Sequence, residues 1–357
     1  LHPAMPTLPS WGAEKFASRG AFVANRWLRE ELGFHHGWTT FDKIFDQVPV
    51  TEVVVRATRV TDAFLEWADR DGPWLAWLHY LEPHLPYTPP EPWLSMYDPE
   101  FRFSTDGRGA ELKKEWRRRR PSEAMYRNTV GLYDGNLAWV DSEVGRVLDG
   151  LKKRGEWDRT IIVVTSDHGE AFWEHRVRGH GDHVFEEFVH VPLVIRVPGL
   201  APRRVAEAVE LVDVVPTLLD LAGVFVPEGG TAGESLVEVM TGESEAADVA
   251  FFRNHDKVSL ETGVRRGPLK YIEFSGVDRV ALYDLGKDPG EQENLLPFRE
   301  PAAPEIETLR RSMKELLDQW IGAGSGTGDD FNPSLSGADS LDADTIEALR
   351  AIGYFGN

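Results

Sequence analysis

This sequence has no cysteine, no run of eighteen apolar residues and no excess of positive charge. Each absence removes a class of explanation. Without cysteine there are no disulfides, no thiolate metal sites and no cysteine nucleophile, and the redox compartment is left open. Without a long apolar run nothing is expected to span a membrane. With 39 basic against 59 acidic residues the formal charge is −20, which speaks against general binding to nucleic acid or anionic lipid. It leaves room for a small anionic substrate, whose site needs only local positive charge. The opening residues, LHPAMPTLPSWG, have neither a basic start nor a continuous apolar region, so they do not read as a signal peptide. They lack an initiating Met, and the chain is expected to be a piece of something longer. What is present is ample: 357 residues, 41% apolar, with twelve Trp, enough for one large domain plus a smaller one.

One stretch organises the rest, Thr160 to Gly199. It opens on an apolar, β-branched run, Ile161–Thr165, which reads as a strand buried on both faces. The run ends in Ser166-Asp167-His168-Gly169-Glu170. A carboxylate and an imidazole leaving a strand's C-terminal edge together stand where open α/β sheets place their chemistry. Both suit a divalent cation, and Gly169 is read as permitting a sharp turn beside them. His180 and His183 follow in Gly-His-Gly-Asp-His, and a second apolar strand, Val191–Val197, is closed by Pro198-Gly199. A lone Asp-His after a strand is most simply a turn with a satisfied histidine. Here His168, His175, His180 and His183 fall within sixteen residues between two apolar strands, and that clustering favours a site.

"TIIVVTSDHGE", then "GHG…VFEE…VPLVIRVPG", resembles the second metal-ligand motif of the sulfatase family in the alkaline-phosphatase superfamily, and the strand after it. The resemblance extends from Thr7 to Tyr354. It implies an α/β, alkaline-phosphatase-like fold: a mixed or parallel sheet sandwiched by helices, with a small C-terminal antiparallel sheet. The expected organisation is a main domain over 1–226, a C-terminal subdomain over 227–322, and a linker with a terminal helix over 323–357.

Other segments fit this plan. Trp11–Arg19 is patterned as a short helix, and Gly20–Asn25 as a strand with a polar end. Thr51–Asp69 is amphipathic, stopped by Gly72-Pro73. Trp74–Leu81 reads as a strand leading into Glu82-Pro83-His84-Leu85-Pro86-Tyr87, where repeated prolines forbid helix and central strand alike. That loop is similar to the family's Asp-Pro-His-x-Pro-Tyr, with Glu82 where Asp is usual. Arg117–Arg120 reads as a solvated basic face. Ser122 looks like the N-cap of a long helix reaching Lys153. Val212–Gly223 resembles the helix closing the main domain, with Asp213 structural. Short strands are expected at Val249–Arg253, Glu261–Arg265, Lys270–Phe274 and Arg279–Tyr283, and helices at Glu305–Ile321 and Asp342–Ala351. The segment 282–295 resembles the family's C-terminal signature and reads as turn chemistry.

The resemblance implies a divalent cation, with calcium first and magnesium or manganese as alternatives, held in part by Asp167 and His168. It implies that His84 contacts the transferred group and acts in catalysis, and that His180 protonates or stabilises the leaving oxygen. His183 is a second, substrate-binding candidate, while His175 and His190 are assigned to packing or solvent. Thr7-Leu8-Pro9-Ser10 superficially fits the family's nucleophile motif. That reading is rejected because the strand carrying two acidic ligands has no room upstream. The nucleophile, formylglycine in sulfatases, and the remaining acidic ligands are expected in a preceding segment, with the chain as given inactive alone. The expected activity is hydrolysis of a sulfate ester on a small anionic substrate, without nucleic acid and with no assignment of oligomeric state. His168 stands where Asn is common in arylsulfatases, and His180 where Lys is usual. These departures keep a phosphodiesterase or phosphonate monoester hydrolase as the alternative, beside a non-catalytic, metal-stabilised relative. An extracytoplasmic location is expected because such proteins are often exported.

Overall fold

The computed structural model describes residues 5–47, 57–97, 121–181, 183–227, 229–255, 260–275, 279–296 and 301–322. The expected basic face at 117–120, the helix at 342–351 and the linker lie outside these residues. The described chain divides into two compact units, one ending at Arg159 and the other beginning at Thr160.

In the first unit, β1 (Ser18–Val23) lies between β2 (Thr40–Lys43) and β3 (Trp74–His79), parallel to both. Ala21, Phe22 and Val23 are at most 1% exposed, as a central strand covered on both faces requires. Helix α1 is shorter and earlier than its apolar pattern suggests, spanning Leu8–Trp11. The Thr7 side chain caps it, accepting from the Ser10 amide at 3.3 Å, and Ser18 and Arg19 already belong to β1. Helix α2 (Ala57–Trp67) buries Val60, Phe64 and Trp67 along one stripe, and Phe64 and Trp67 meet Phe22 edge-on at 6.0 and 5.6 Å. Gly20 lies directly beneath Trp67, where a Cβ would come within 2.7 Å of the indole. After the short α3 (Trp93–Tyr97), α4 runs over Glu123–Lys153, with Ser122 as its N-cap as expected. Glu143 of α4 accepts from Thr58 of α2 at 2.9 Å. The proline-rich loop after β3 rests on α4, with Tyr87 edge-on to Tyr133 at 5.7 Å.

In the second unit, β4 (Ile162–Thr165) pairs antiparallel with β7 (Leu193–Arg196). The expectation of strands buried on both faces is corrected here. Val164 and Val194 are direct cross-strand partners, so they share one face, and they are 39% and 60% exposed. Between them the chain forms a two-residue hairpin ladder, β5 (Ala171–Phe172) with β6 (Arg178–Gly179), and the short helix α5 (Glu186–Val189). Helices α6 (Val214–Leu221) and α7 (Val237–Thr241) follow. Asp213 is structural, as expected: its two oxygens accept from the Glu210 and Glu234 amides at 2.8 and 3.0 Å.

The four expected C-terminal strands form an antiparallel meander: β8 (Val249–His255), β9 (Leu260–Arg266), β10 (Leu269–Phe274) and β11 (Arg279–Asp284). Strand alternation divides its side chains between two layers. Val264, Tyr271 and Leu282 pack on Met313 and Leu317 of α8 (Pro304–Gly322). Ile272, Phe274, Ala281 and Tyr283 face Ala171, Val184, Phe185 and Phe188 of the histidine-rich segment. The same alternation brings Lys270 to the second layer, where it is fully buried. Its Nζ lies 2.8 Å from Glu186 Oε1 and 2.9 Å from Glu291 Oε1, while the other Glu291 oxygen accepts from the Glu186 amide at 2.6 Å. Glu291 belongs to the segment read as turn chemistry. It does turn the chain, at φ +52°, and it also supplies half of a buried ion pair.

Removing the cation alone leaves the fully buried Glu291 carboxylate without its counter-ion, while Glu186 keeps Arg265 at 3.4 Å. Lys270→Met is therefore expected to cost about 3–5 kcal/mol, measured by urea unfolding of the full chain. A loss below about 1 kcal/mol would be the size of an exposed pair and would mean that water reaches these charges.

Candidate active site

The candidate site starts where β4 ends. Asp167 projects to solvent with its side chain 78% exposed, and its Oδ1 accepts from the His168 amide at 3.1 Å. His168 Nδ1 lies 2.8 Å from the Gly169 carbonyl oxygen. A carbonyl can only accept, so Nδ1 carries the proton and, in the neutral ring, Nε2 carries the lone pair. That Nε2 is 3.8 Å from Asp167 Oδ1. An anionic oxygen and an imidazole nitrogen thus face one region, and a backbone carbonyl orients the ring as it commonly does for metal-ligating histidines. The Asp167 oxygen suits a hard cation and the His168 nitrogen a softer one, so together they fit a divalent ion as part of its shell. Calcium takes about six to eight oxygen donors, and among the described residues no cluster of three or more His, Cys, Asp or Glu side chains could hold an ion.

Gly169 is needed for a reason other than the turn expected of it. It is not among the left-handed glycines; its amide donates to the Phe188 carbonyl at 2.8 Å, and a Cβ would sit 2.1 Å from the Glu187 carbonyl oxygen. Two backbones touch here, and no side chain fits between them.

The hairpin ladder explains the next contact. Ala171 pairs with Gly179, so Glu170 and His180 stand opposite one another one step beyond it. Glu170 Oε2 lies 2.9 Å from His180 Nδ1, with the Glu170 side chain 6% exposed. The His180 ring stacks on His168, centroids 4.0 Å apart and planes at 25°. Gly179 and Gly181, at φ +75° and +102°, adopt backbone conformations that side chains resist. The structure thus brings Asp167, His168 and His180 together. His183 is held from elsewhere, its Nδ1 2.7 Å from Glu261 Oε1 on β9. His84 belongs to the first unit, on the loop after β3, and its Nδ1 donates to the Leu85 carbonyl at 2.6 Å.

His175 is a structural cation. Its Nδ1 meets Glu187 Oε1 at 2.7 Å and its Nε2 meets the Glu291 carbonyl at 3.0 Å. Both partners accept, which favours a ring protonated at both nitrogens, with the Gln292 amide nitrogen also 3.4 Å from Nε2. Burial works against this charge, but the Glu187 carboxylate and the Glu291 carbonyl outweigh it and hold the pKa above its ordinary value. His190 is solvent-facing, 72% exposed. Thr7 is a helix cap whose hydroxyl also donates to the His36 carbonyl at 3.1 Å, a role apart from nucleophilic chemistry.

The sequence reading missed Glu170, Glu187 and Glu261, the partners of three histidines. A signal existed for Glu261: within the strand pattern it occupies the register that pairs with Phe274, a place where an acid needs a buried partner.

The sulfatase family profile matches residues 6–224, more than half of the chain. The chain belongs to the sulfatase family. A second profile, the C-terminal region of N-sulphoglucosamine sulphohydrolase, matches residues 174–321. Arylsulfatase K of Danio rerio is 32% identical over 203 residues, which cover 54% of this chain and 38% of that protein. The sulfatase chain thus spans less than half the length of this curated relative. Among solved structures, a protein in complex with its substrate D-glucosamine-2-N,6-O-disulfate superposes with a TM-score of 0.74 at 21% identity, covering 93% of this chain and 84% of its own. The phosphonate monoester hydrolase of Agrobacterium radiobacter superposes with a TM-score of 0.70 at 23% identity, covering 89% and 80%. The fold is accordingly α/β and alkaline-phosphatase-like, with the small antiparallel sheet at its C-terminal end. Among the described residues, no helix is long and apolar enough to cross a membrane.

His175 gives a pH dependence with a definite sign. A group whose folded pKa is raised stabilises fully below its unfolded value, here 6.5, and loses that contribution as pH rises through the folded pKa. Urea unfolding of the wild type from acid to alkaline pH should therefore show a fall in stability beginning near neutrality that His175→Asn lacks. Parallel curves for the two proteins would remove the charge from His175.

Proposed function

We propose that this sulfatase hydrolyses sulfate esters of small anionic substrates with a divalent cation, and that Asp167, His168, His180, His183 and His84 are the part of its active site carried here. The observation that carries the reading is the Asp167–His168–His180 cluster at the end of β4, with ring orientations fixed by Gly169 and Glu170. Family membership implies a divalent cation and a formylglycine nucleophile, and calcium is our choice of ion. When bound, the cation would neutralise charge on the ester oxygens and favour attack. Asp167 and His168 would hold it. Glu170 keeps a proton on His180 Nδ1 and stabilises the doubly protonated ring. The Nε2 proton is then the one delivered to the departing alcohol oxygen as its bond to sulfur breaks. His84, tethered through Nδ1 to its own loop, would contact the transferred group. The bound substrate of the solved relative supports a sulfated sugar as the kind of ester.

The main domain is proposed over 1–226, the C-terminal subdomain over 227–322 and the remainder over 323–357, and the location is proposed as extracytoplasmic. A phosphonate monoester hydrolase is the second reading. It is favoured by the histidines at 168 and 180 and by the fold shared with such an enzyme.

Three measurements on the full-length protein test this. Turnover of an aryl sulfate should exceed that of the matching phosphonate monoester in kcat/KM, and the reverse order selects the second reading. Asp167→Ala should abolish tight calcium binding in calorimetry, because a carboxylate supplies much of the charge compensation for a hard cation; unchanged affinity would make Asp167 a turn residue. His180→Ala should slow esters of poorly acidic alcohols by about 10²–10⁴-fold and aryl esters far less. Equal losses would mean that His180 binds the transferred group or shapes the loop.

A further inference from the structure

His180 and His183 are fastened alike, each by a buried carboxylate at Nδ1, yet the two carboxylates come from different places. Glu170 is a neighbour in the same hairpin. Glu261 lies 78 residues away from His183 in sequence, on the C-terminal sheet, with its side chain 3% exposed. It makes two contacts at once: Oε1 with His183 Nδ1 at 2.7 Å, and Oε2 accepting from the Val184 amide at 3.1 Å. Phe185 and Phe188 flank the same imidazole, with centroids 5.8 and 5.9 Å from it.

We infer that Glu261 is a positioning residue for His183, so that the C-terminal sheet sets the orientation and tautomer of a substrate-binding histidine. This rests on the proposed role of His183. A buried carboxylate offers two acceptors, and both are used, one by a ring and one by the backbone next to it. Away from water each of these bonds is strengthened, and a donor left unmet is costly. Rotating the ring would forfeit the first bond and drive it toward the two Phe side chains. With Nδ1 holding its proton on Glu261, the neutral ring turns a lone-pair nitrogen, Nε2, to its other side, which suits a substrate hydroxyl. The register explains why this residue does the work. Glu261 pairs with Phe274, and Phe274 packs in the layer of Val184, Phe185 and Phe188.

Glu261→Gln in the full-length enzyme tests the inference. Glutamine keeps the shape but offers one oxygen and one NH₂. The Val184 amide can only donate, so it retains the oxygen, and the NH₂ then faces His183 Nδ1. The ring can comply only by moving its proton to Nε2. ¹⁵N NMR of the histidine-labelled protein should therefore show His183 switching tautomer. KM for a sulfate ester should rise about tenfold, the size of one charge-assisted hydrogen bond, with kcat little changed. The loss should not add to that of His183→Ala in the double variant. Glu261→Asp, which keeps both acceptors on a shorter arm, is the second variant should the first not fold; it should retain the Nδ1 proton and lose less affinity. An unchanged tautomer in the Gln variant, a tautomer switch in the Asp variant, a loss confined to kcat, or additive losses would overturn the inference. A full-length protein that switches tautomer yet turns over no sulfate ester would keep Glu261 as the orienting group and remove the proposed activity instead.

Discussion

The buried contact of Lys270 with Glu186 and Glu291 is the constraint on which the second unit depends. A lysine without solvent exposure is tolerable only when its charge is met at close range, and here two carboxylates meet it within 3 Å. Such a pair adds little net stability over an apolar filling. Its value lies in what it fixes: Glu186 begins α5, directly after the histidine loop, and Glu291 sits in the turn after β11. One cation on β10 therefore locks two irregular segments to the sheet. His175, held between Glu187 and the Glu291 carbonyl and stacked on Phe185 at 3.7 Å, fastens the hairpin to the same place.

With the segment fastened, acceptors choose the chemistry of each ring. Carbonyl oxygens settle His168 and His84, and carboxylates settle His180 and His183. In each case Nδ1 is engaged, which makes Nε2 the nitrogen whose lone pair or second proton is at stake in a reaction. His175 differs because both of its nitrogens face acceptors, and that difference separates a structural cation from the candidate site residues. Residue type alone does not separate them.

The strands and long helices were legible because their signals are local. Ser122 caps α4 where its side chain and the following periodicity indicate. The four C-terminal strands lie within two residues of their pattern. Helix α1 starts before its apolar pattern because the Thr7 cap outweighs that pattern. The burial of β4 and β7 is not legible in their composition, because a β-branched run looks the same whether one face or two are covered. The need for Gly169 is legible but its reason is not, since the backbone it must clear comes from residues eighteen or more positions later.

By itself the sequence determined the family, through an ordered run from Thr160 to Gly199, and with it the α/β fold and the candidate residues Asp167, His168, His180, His183 and His84. It did so because periodicity, caps and short motifs are properties of neighbouring residues. Only the tertiary structure decided which nitrogen each imidazole presents and which acid holds it. Glu261 reaches His183 across 78 positions, and Glu291 reaches His175 across 116. A hydrogen bond's partner is fixed by distance in space, and no local pattern encodes a contact between a loop and a strand that far apart in the chain.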